Sequence, residues 1–130
     1  MAVQDTAPQT DKDLASIAEA RALARAARQA QPLLAELSQE QIDRIVTMMA
    51  EAVTAHAEAL AQLAVEETGY GVVADKVQKN LFSSRQVYEF IKPMKTVGVV
   101  NRIEDRKIVE IAEPFGVVAA IVPSTNPTST

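Results

Sequence analysis

The chain has no cysteine and only one histidine among its 130 residues. The lack of cysteine excludes disulfides, thiolate metal sites and a cysteine nucleophile within this chain. The single histidine, His56, has no histidine or cysteine near it in the sequence, which argues against a metal site. The 13 basic and 17 acidic residues form no block of like charge, so the composition does not indicate binding to nucleic acid or an anionic membrane.

Long apolar runs are also missing. No stretch approaches the roughly 20 residues that a membrane-spanning helix requires. The first ten residues lack the basic cluster and apolar run of a secretory signal. We therefore expect a cytoplasmic protein. The hydrophobic content of 48% with 23% charged residues is ordinary for a globular chain.

The first 92 residues predict a leader and three helices. Residues 1–10 are expected to be disordered. Thr10 and Asp13 resemble a capping box for a first helix. This helix is expected to end at or just before Gln31, because Pro32 disfavours helical geometry in its predecessor.

The other two helices have clearer boundaries. Ser38 and Gln41 form a capping box for a helix whose apolar periodicity continues to Gly69, a natural C-terminal stop. A third helix is predicted from about residue 75 to residue 92, with Pro93 ending it.

The pattern then changes to short β-branched runs. Residues 96–101 and 107–112 are separated by a polar segment, which predicts a β-hairpin. The continuous apolar run from Gly116 to Val122 is typical of a parallel strand that is covered on both faces. It leads into a polar loop, residues 123–130, rich in hydroxyls. Open α/β sheets bind ligands at such strand ends.

This region resembles the aldehyde dehydrogenase superfamily, specifically its CoA-acylating branch. The resemblance rests on Glu113-Pro-Phe-Gly-Val-Val and on Ile121-Val-Pro-Ser-Thr-Asn-Pro-Thr-Ser-Thr130. In the aldehyde-oxidising branch, the corresponding loop reads proline-tryptophan-asparagine. Further similarity runs through residues 67–80, 95–100 and 38–43, so the resemblance covers most of the chain but only about the first quarter of such an enzyme.

The resemblance implies the α/β fold of an aldehyde dehydrogenase, of which this chain would be the N-terminal segment. Residues 11–92 would be the N-terminal helical part of the nucleotide-binding domain, and 93–113 the hairpin of the oligomerisation region. Residues 114–130 would be the first strand of a Rossmann-like domain and its active-site loop. The hairpin would then join subunits into a homo-oligomer.

It also implies a chemistry, in which a cysteine thiolate attacks an aldehyde, hydride leaves to NAD and the acyl group passes to coenzyme A. Asn126 matches the asparagine whose amide helps to stabilise the oxyanion. The residues whose backbone would lie against the nicotinamide-side ribose are Ile121, Val122, Pro123 and Ser124. No metal is implied. Because the cysteine and the glutamate base are absent from this chain, we expect the 130 residues alone to be inactive.

The residues alone leave several alternatives open. Asn126 could be a loop asparagine that bonds its own backbone beside a proline. Lys76, Lys79 and Arg85 could face an anionic cofactor such as CoA or serve only surface solubility. Residues 11–31 could be an amphipathic peptide that addresses an enzyme to a bacterial microcompartment. The whole chain could instead be a catalytically dead helical interaction or oligomerisation module, or a truncated gene product.

Overall fold

The computed structural model describes residues 11–130, so the predicted leader lies outside the described residues. The described chain forms two compact units. One contains the first helix, up to Glu36, together with Pro114–Val118. The other contains Leu37–Glu113 and Ala119–Thr130. In the described chain, no helix combines the length and the apolar character that crossing a membrane demands.

Helix α1 of the first unit spans Lys12–Ala35. Its N-cap is Asp11, one residue after the predicted Thr10, and the Asp11 carboxylate accepts a hydrogen bond of 3.0 Å from the backbone N–H of Asp13. Pro32 lies inside the helix, so the prediction that the helix ends at Gln31 is wrong. A proline removes one backbone hydrogen bond and disfavours helical geometry before it, but neither effect prohibits continuation.

The predicted second helix is divided into α2, Gln39–Ala55, and α3, Ala57–Thr68. The prediction of one unbroken helix is therefore wrong. The break lies at His56, whose backbone leaves helical geometry with φ −107° and ψ 11°. Its ring Nδ1 lies 2.8 Å from the carbonyl oxygen of Ala52. The histidine thus contacts the end of α2.

Both predicted ends of this region are confirmed. The Ser38 hydroxyl accepts from the backbone N–H of Gln41 at 3.3 Å. The Gln41 side chain accepts from the backbone N–H of Ser38 at 2.9 Å, which completes the capping box. Gly69 ends α3 in the left-handed conformation, with φ 69°, that glycine adopts without a Cβ clash.

The predicted third helix is confirmed as one helical region with a change of pitch. Helix α4 spans Val73–Leu81, a π-helical segment follows over Phe82–Val87, and α5 covers Tyr88–Ile91. Pro93 follows shortly after α5. A π-helical turn inside a helix is uncommon and is often found near functional sites.

The core of the second unit is built where α3 packs against α4. Helix α3 buries a face of small side chains, Ala57, Ala61 and Ala64. The opposing stripe is polar and is spaced four residues apart: Lys76, Asn80 and Ser84. Small residues on one helix leave room for polar side chains on the other, and each buried polar group then needs a hydrogen-bond partner.

The predicted hairpin is confirmed. Strand β1, Gly98–Ile103, pairs antiparallel with β2, Ile108–Ala112, and a bulge interrupts the register between Val99 and Asn101. A short 3₁₀ turn at Glu104–Arg106 joins the strands. The start of the hairpin is attached to α2, because the Gln39 side-chain carbonyl accepts from the backbone N–H groups of Thr96 and Val97 at 2.8 and 3.0 Å.

Residues 116–122 do not form the predicted strand. A strand requires a neighbour to bond its backbone, and the one sheet among the described residues is the two-stranded hairpin. The apolar side chains around this segment are correspondingly exposed, with Phe115 at 98% and Ile121 at 97% of full exposure.

Candidate active site

The polar loop, residues 123–130, lies against α4 of the second unit. The ammonium group of Lys76 donates to the carbonyl oxygen of Thr125 at 2.8 Å. Lys76 retains only 5% exposure, so this contact is made inside the protein. Gly71 leaves the space for the lysine stem: a Cβ at that position would lie 3.2 Å from Lys76 Cε. The loop backbone is thus fixed by a buried cation.

A second anchor comes from Asn80, which is only 1% exposed. Its Nδ2 donates to the carbonyl oxygen of Ala57 on α3 at 2.9 Å. Its Oδ1 accepts from the hydroxyl of Thr128 at 2.8 Å. One buried amide therefore joins α3, α4 and the polar loop.

The third contact reaches Asn126, the residue predicted to be catalytic. The ammonium group of Lys79 donates to Asn126 Oδ1 at 3.0 Å. Because an ammonium group can only donate, it identifies the amide oxygen and hence places Nδ2 on the other side. Asn126 Nδ2 has a long contact of 3.4 Å to the hydroxyl of Thr125. The amide thus keeps donor capacity for a further acceptor.

The polar loop also bonds to itself around Asn126. The backbone N–H of Asn126 donates to the carbonyl of Pro123 at 3.2 Å, and the Thr130 hydroxyl donates to the carbonyl of Asn126 at 2.7 Å. The side-chain partners that the structure gives for Asn126 are Lys79 and Thr125. The asparagine side chain is therefore bound to a neighbouring helix, in contrast to the purely local turn that the residues also allowed.

An open groove of about 580 Å³ runs beside this amide. It is lined by α4 and the π-helical segment on one side and by the polar loop on the other: Gln78, Lys79, Phe82, Gln86, Asn126, Ser129 and Thr130. A reacting group that entered this groove would meet amides, hydroxyls, one cation and the Phe82 ring.

The residues predicted to contact the cofactor precede this groove. The side chains of Ile121 and Val122 are 97% and 52% exposed, and Ser124 is exposed as well. Pro123 contributes its carbonyl to the turn that holds Asn126. Since these residues belong to no strand, their backbone N–H and C=O groups are not paired in a β-sheet within the described chain. Their role as one wall of a cofactor site stays a prediction.

Sequence reasoning missed the part played by α4. Lys76 is a buried anchor, so the alternative that it serves only surface solubility is wrong, whereas Lys79 and Arg85 are exposed. The signal was present in Lys76-Val-Gln-Lys-Asn80, where three polar residues at i, i+3 and i+4 share one helix face.

Comparison with known proteins places this arrangement in a family. The model of the "Aldehyde dehydrogenase family" matches residues 3–129. The chain belongs to the aldehyde dehydrogenase family. This confirms the resemblance identified from the polar loop and its preceding residues.

Relatives in the acylating branch are similar over most of the chain. The bifunctional aldehyde-alcohol dehydrogenase of Escherichia coli is 43% identical over 115 residues, which is 88% of this chain and 13% of that protein. The succinate-semialdehyde dehydrogenase (acetylating) of Clostridium kluyveri is 44% identical over 104 residues, or 80% of this chain and 23% of that protein. The chain therefore spans less than a quarter of either relative.

A solved structure gives the same picture for the fold. The acetylating aldehyde dehydrogenase from Geobacillus thermoglucosidasius is 51% identical, with a TM-score of 0.89 over 94% of this chain and 27% of that one. This confirms the predicted fold class of an aldehyde dehydrogenase segment. The acylating branch, favoured by the Pro-Ser-Thr-Asn-Pro loop, is the branch to which these relatives belong by name.

Proposed function

We propose that this chain is part of an NAD-dependent, CoA-acylating aldehyde dehydrogenase, in which Asn126 donates a hydrogen bond to the oxygen of the reacting aldehyde. One observation carries the proposal. Lys79 holds Asn126 Oδ1 at 3.0 Å, which leaves Nδ2 as the donor of an asparagine that lines an open groove. The acylating names of the relatives support the reaction class.

In the overall reaction, an aldehyde, the CoA thiol and NAD⁺ give acyl-CoA, NADH and a proton. A thiolate from outside this chain adds to the aldehyde carbon, and the carbonyl oxygen takes up negative charge. Asn126 Nδ2 stabilises that charge, because a donor fixed in advance needs no reorganisation as the charge develops. Loss of hydride from this adduct to bound NAD⁺ would give an enzyme thioester, and the acyl group would then pass to the CoA thiol with release of the thiolate.

The residues before Asn126 fit one wall of the nicotinamide site. Ile121, Val122 and Ser124 are exposed, and their backbone is not part of a sheet in the described chain. Peptide groups in such a segment can face a ribose. When bound, the nicotinamide accepts the hydride; the chain's contribution is to hold the aldehyde oxygen and to line the groove.

The alternative of a catalytically inactive interaction module is not favoured, because the similar proteins are named as enzymes. The β1–β2 hairpin keeps a proposed role of its own. Its strands present exposed apolar side chains such as Val99, Val109 and Ile111, which suit a contact with a second subunit.

The reaction class is tested in the full-length protein that contains this chain. With NAD, a short aldehyde and CoA, we expect NADH formation coupled to one acyl-CoA per NADH, measured by absorbance and by mass spectrometry of the thioester. Release of the free acid at the same rate without CoA would contradict the acylating assignment.

The role of Asn126 is tested by Asn126→Ala, for which we expect kcat to fall by about 10²–10³-fold, the usual loss for one oxyanion donor. Asn126→Asp keeps the shape but removes the N–H donor, so it should be at least as slow. Turnover within a factor of about two of the wild type in Asn126→Ala would overturn the assignment.

A further inference from the structure

We propose that Lys79 is a positioning residue that orients and polarises the Asn126 amide. This inference rests on the proposed function, since it concerns the same donor. It assigns a second side chain to the oxyanion site, one located on α4 and 47 positions earlier in the sequence.

The first step is that the loop backbone is already fixed without Lys79. Lys76 holds the carbonyl of Thr125 at 2.8 Å, and Asn80 holds the hydroxyl of Thr128 at 2.8 Å. The backbone N–H of Asn126 is itself bonded to Pro123. What these contacts leave undetermined is the rotation of the Asn126 side chain, and Lys79 is the group that contacts its oxygen.

The second step is chemical. An asparagine amide can present either its oxygen or its nitrogen to a substrate, and only the nitrogen can stabilise an oxyanion. A cation that cannot accept a hydrogen bond forces the oxygen towards itself and the nitrogen away. A neutral or apolar residue at position 79 would allow the amide to turn, and an outward oxygen would repel the developing negative charge.

The third step concerns donor strength. Hydrogen bonds in a chain polarise one another, so an ammonium group on Oδ1 makes the Nδ2–H groups better donors. Because Lys79 is exposed, its charge is partly screened, and we expect its effect to be smaller than that of Asn126 itself.

The test is a double-mutant cycle of Lys79→Met and Asn126→Ala in the full-length enzyme. We expect Lys79→Met to lower kcat by about tenfold, a fraction of the loss expected for the donor. KM for the aldehyde, CoA and NAD should change little. If Lys79 acts through Asn126, Lys79→Met should have no further effect on kcat in the Asn126→Ala background.

Two more variants separate this role from general stabilisation. Lys79→Arg keeps a cationic donor and should restore most of the turnover, whereas Lys79→Gln, which is neutral, should restore less. Lys92→Met is the matched control, because Lys92 is exposed and pairs at 3.9 Å with Glu89 on its own helical region; we expect wild-type kcat.

The outcomes distinguish the two proposals. A wild-type rate in Asn126→Ala would overturn the proposed role of Asn126, and with it the inference about Lys79. A slow Asn126→Ala with unchanged kcat in Lys79→Met would overturn only the inference about Lys79. It would also be overturned if Lys79→Met raised KM for CoA or NAD alone, or slowed both backgrounds equally, because Lys79 would then act independently of Asn126.

Discussion

Replacement of Asn80 by alanine should release the polar loop from α4. The Asn80 amide is 1% exposed and bonds Ala57 on one side and Thr128 on the other. Without it, the half-buried Thr128 hydroxyl loses its acceptor on α4 and turns towards water. One hydrogen bond of this kind contributes about 0.5–1.5 kcal/mol. The equilibrium for local opening of the loop should therefore rise by about 2- to 12-fold.

The assay is native-state hydrogen exchange on the full-length protein, because it reports local opening without requiring two-state unfolding. The reporter is the Asn126 amide, whose N–H donates to the Pro123 carbonyl at 3.2 Å.

Asn101→Ala is the matched control, because Asn101 is exposed and its amide bonds to Glu110 across the hairpin at 3.0 Å. It should leave exchange at Asn126 unchanged. Equal exchange at Asn126 in the wild type and in Asn80→Ala would refute the conclusion that Asn80 anchors the loop.

Two smaller predictions concern the ends of helices in the second unit. Ser38→Ala removes the capping-box acceptor of α2 and should cost about 1 kcal/mol, which would appear as faster amide exchange in the first turn of α2. Ser38→Asp should retain most of the protection. Equal exchange in the wild type and both variants would contradict the capping role. Gly69→Ala should cost about 1–2 kcal/mol because of the left-handed φ of 69°, and no steric clash adds to this, since no atom lies within 4 Å of the added Cβ. The variant should unfold at a lower urea concentration than Gly69→Asn. The reverse order would contradict this account.

The sequence predicted the elements that local chemistry determines. Ser38 and Gln41 satisfy each other's backbone groups, and Gly69 supplies a conformation that other residues resist, so both ends appear in the structure. The hairpin followed from two short β-branched runs separated by a polar segment. These signals involve residues within a few positions of one another, which is why a single sequence carries them.

The remaining features depend on tertiary contacts. No proline or glycine at His56 indicates the helix break in the sequence, and the His56 ring contacts the Ala52 carbonyl. The strand predicted from Gly116 requires a neighbouring strand that the described residues do not supply. The role of Lys76 as an anchor depends on the polar loop, because its partner, the Thr125 carbonyl, lies 49 positions later in the sequence.

The candidate site shows the same division. Asn126 was predicted as a site residue from the resemblance of its loop to a family loop, whereas the helix that holds it was not predicted. Lys79 and Asn126 are far apart in sequence but joined at 3.0 Å, and no periodicity within either segment indicates that pairing. The polar i, i+3, i+4 face of α4 was the available signal.

The most direct test of the central claim is the single-turnover rate of acyl-enzyme formation in the full-length protein, measured as NADH appearance with enzyme in excess over aldehyde. If Asn126 stabilises the oxyanion, Asn126→Ala should slow this step by about 10²–10³-fold. An unchanged single-turnover rate in Asn126→Ala would contradict the account, because the amide held by Lys79 would then have no part in the chemistry.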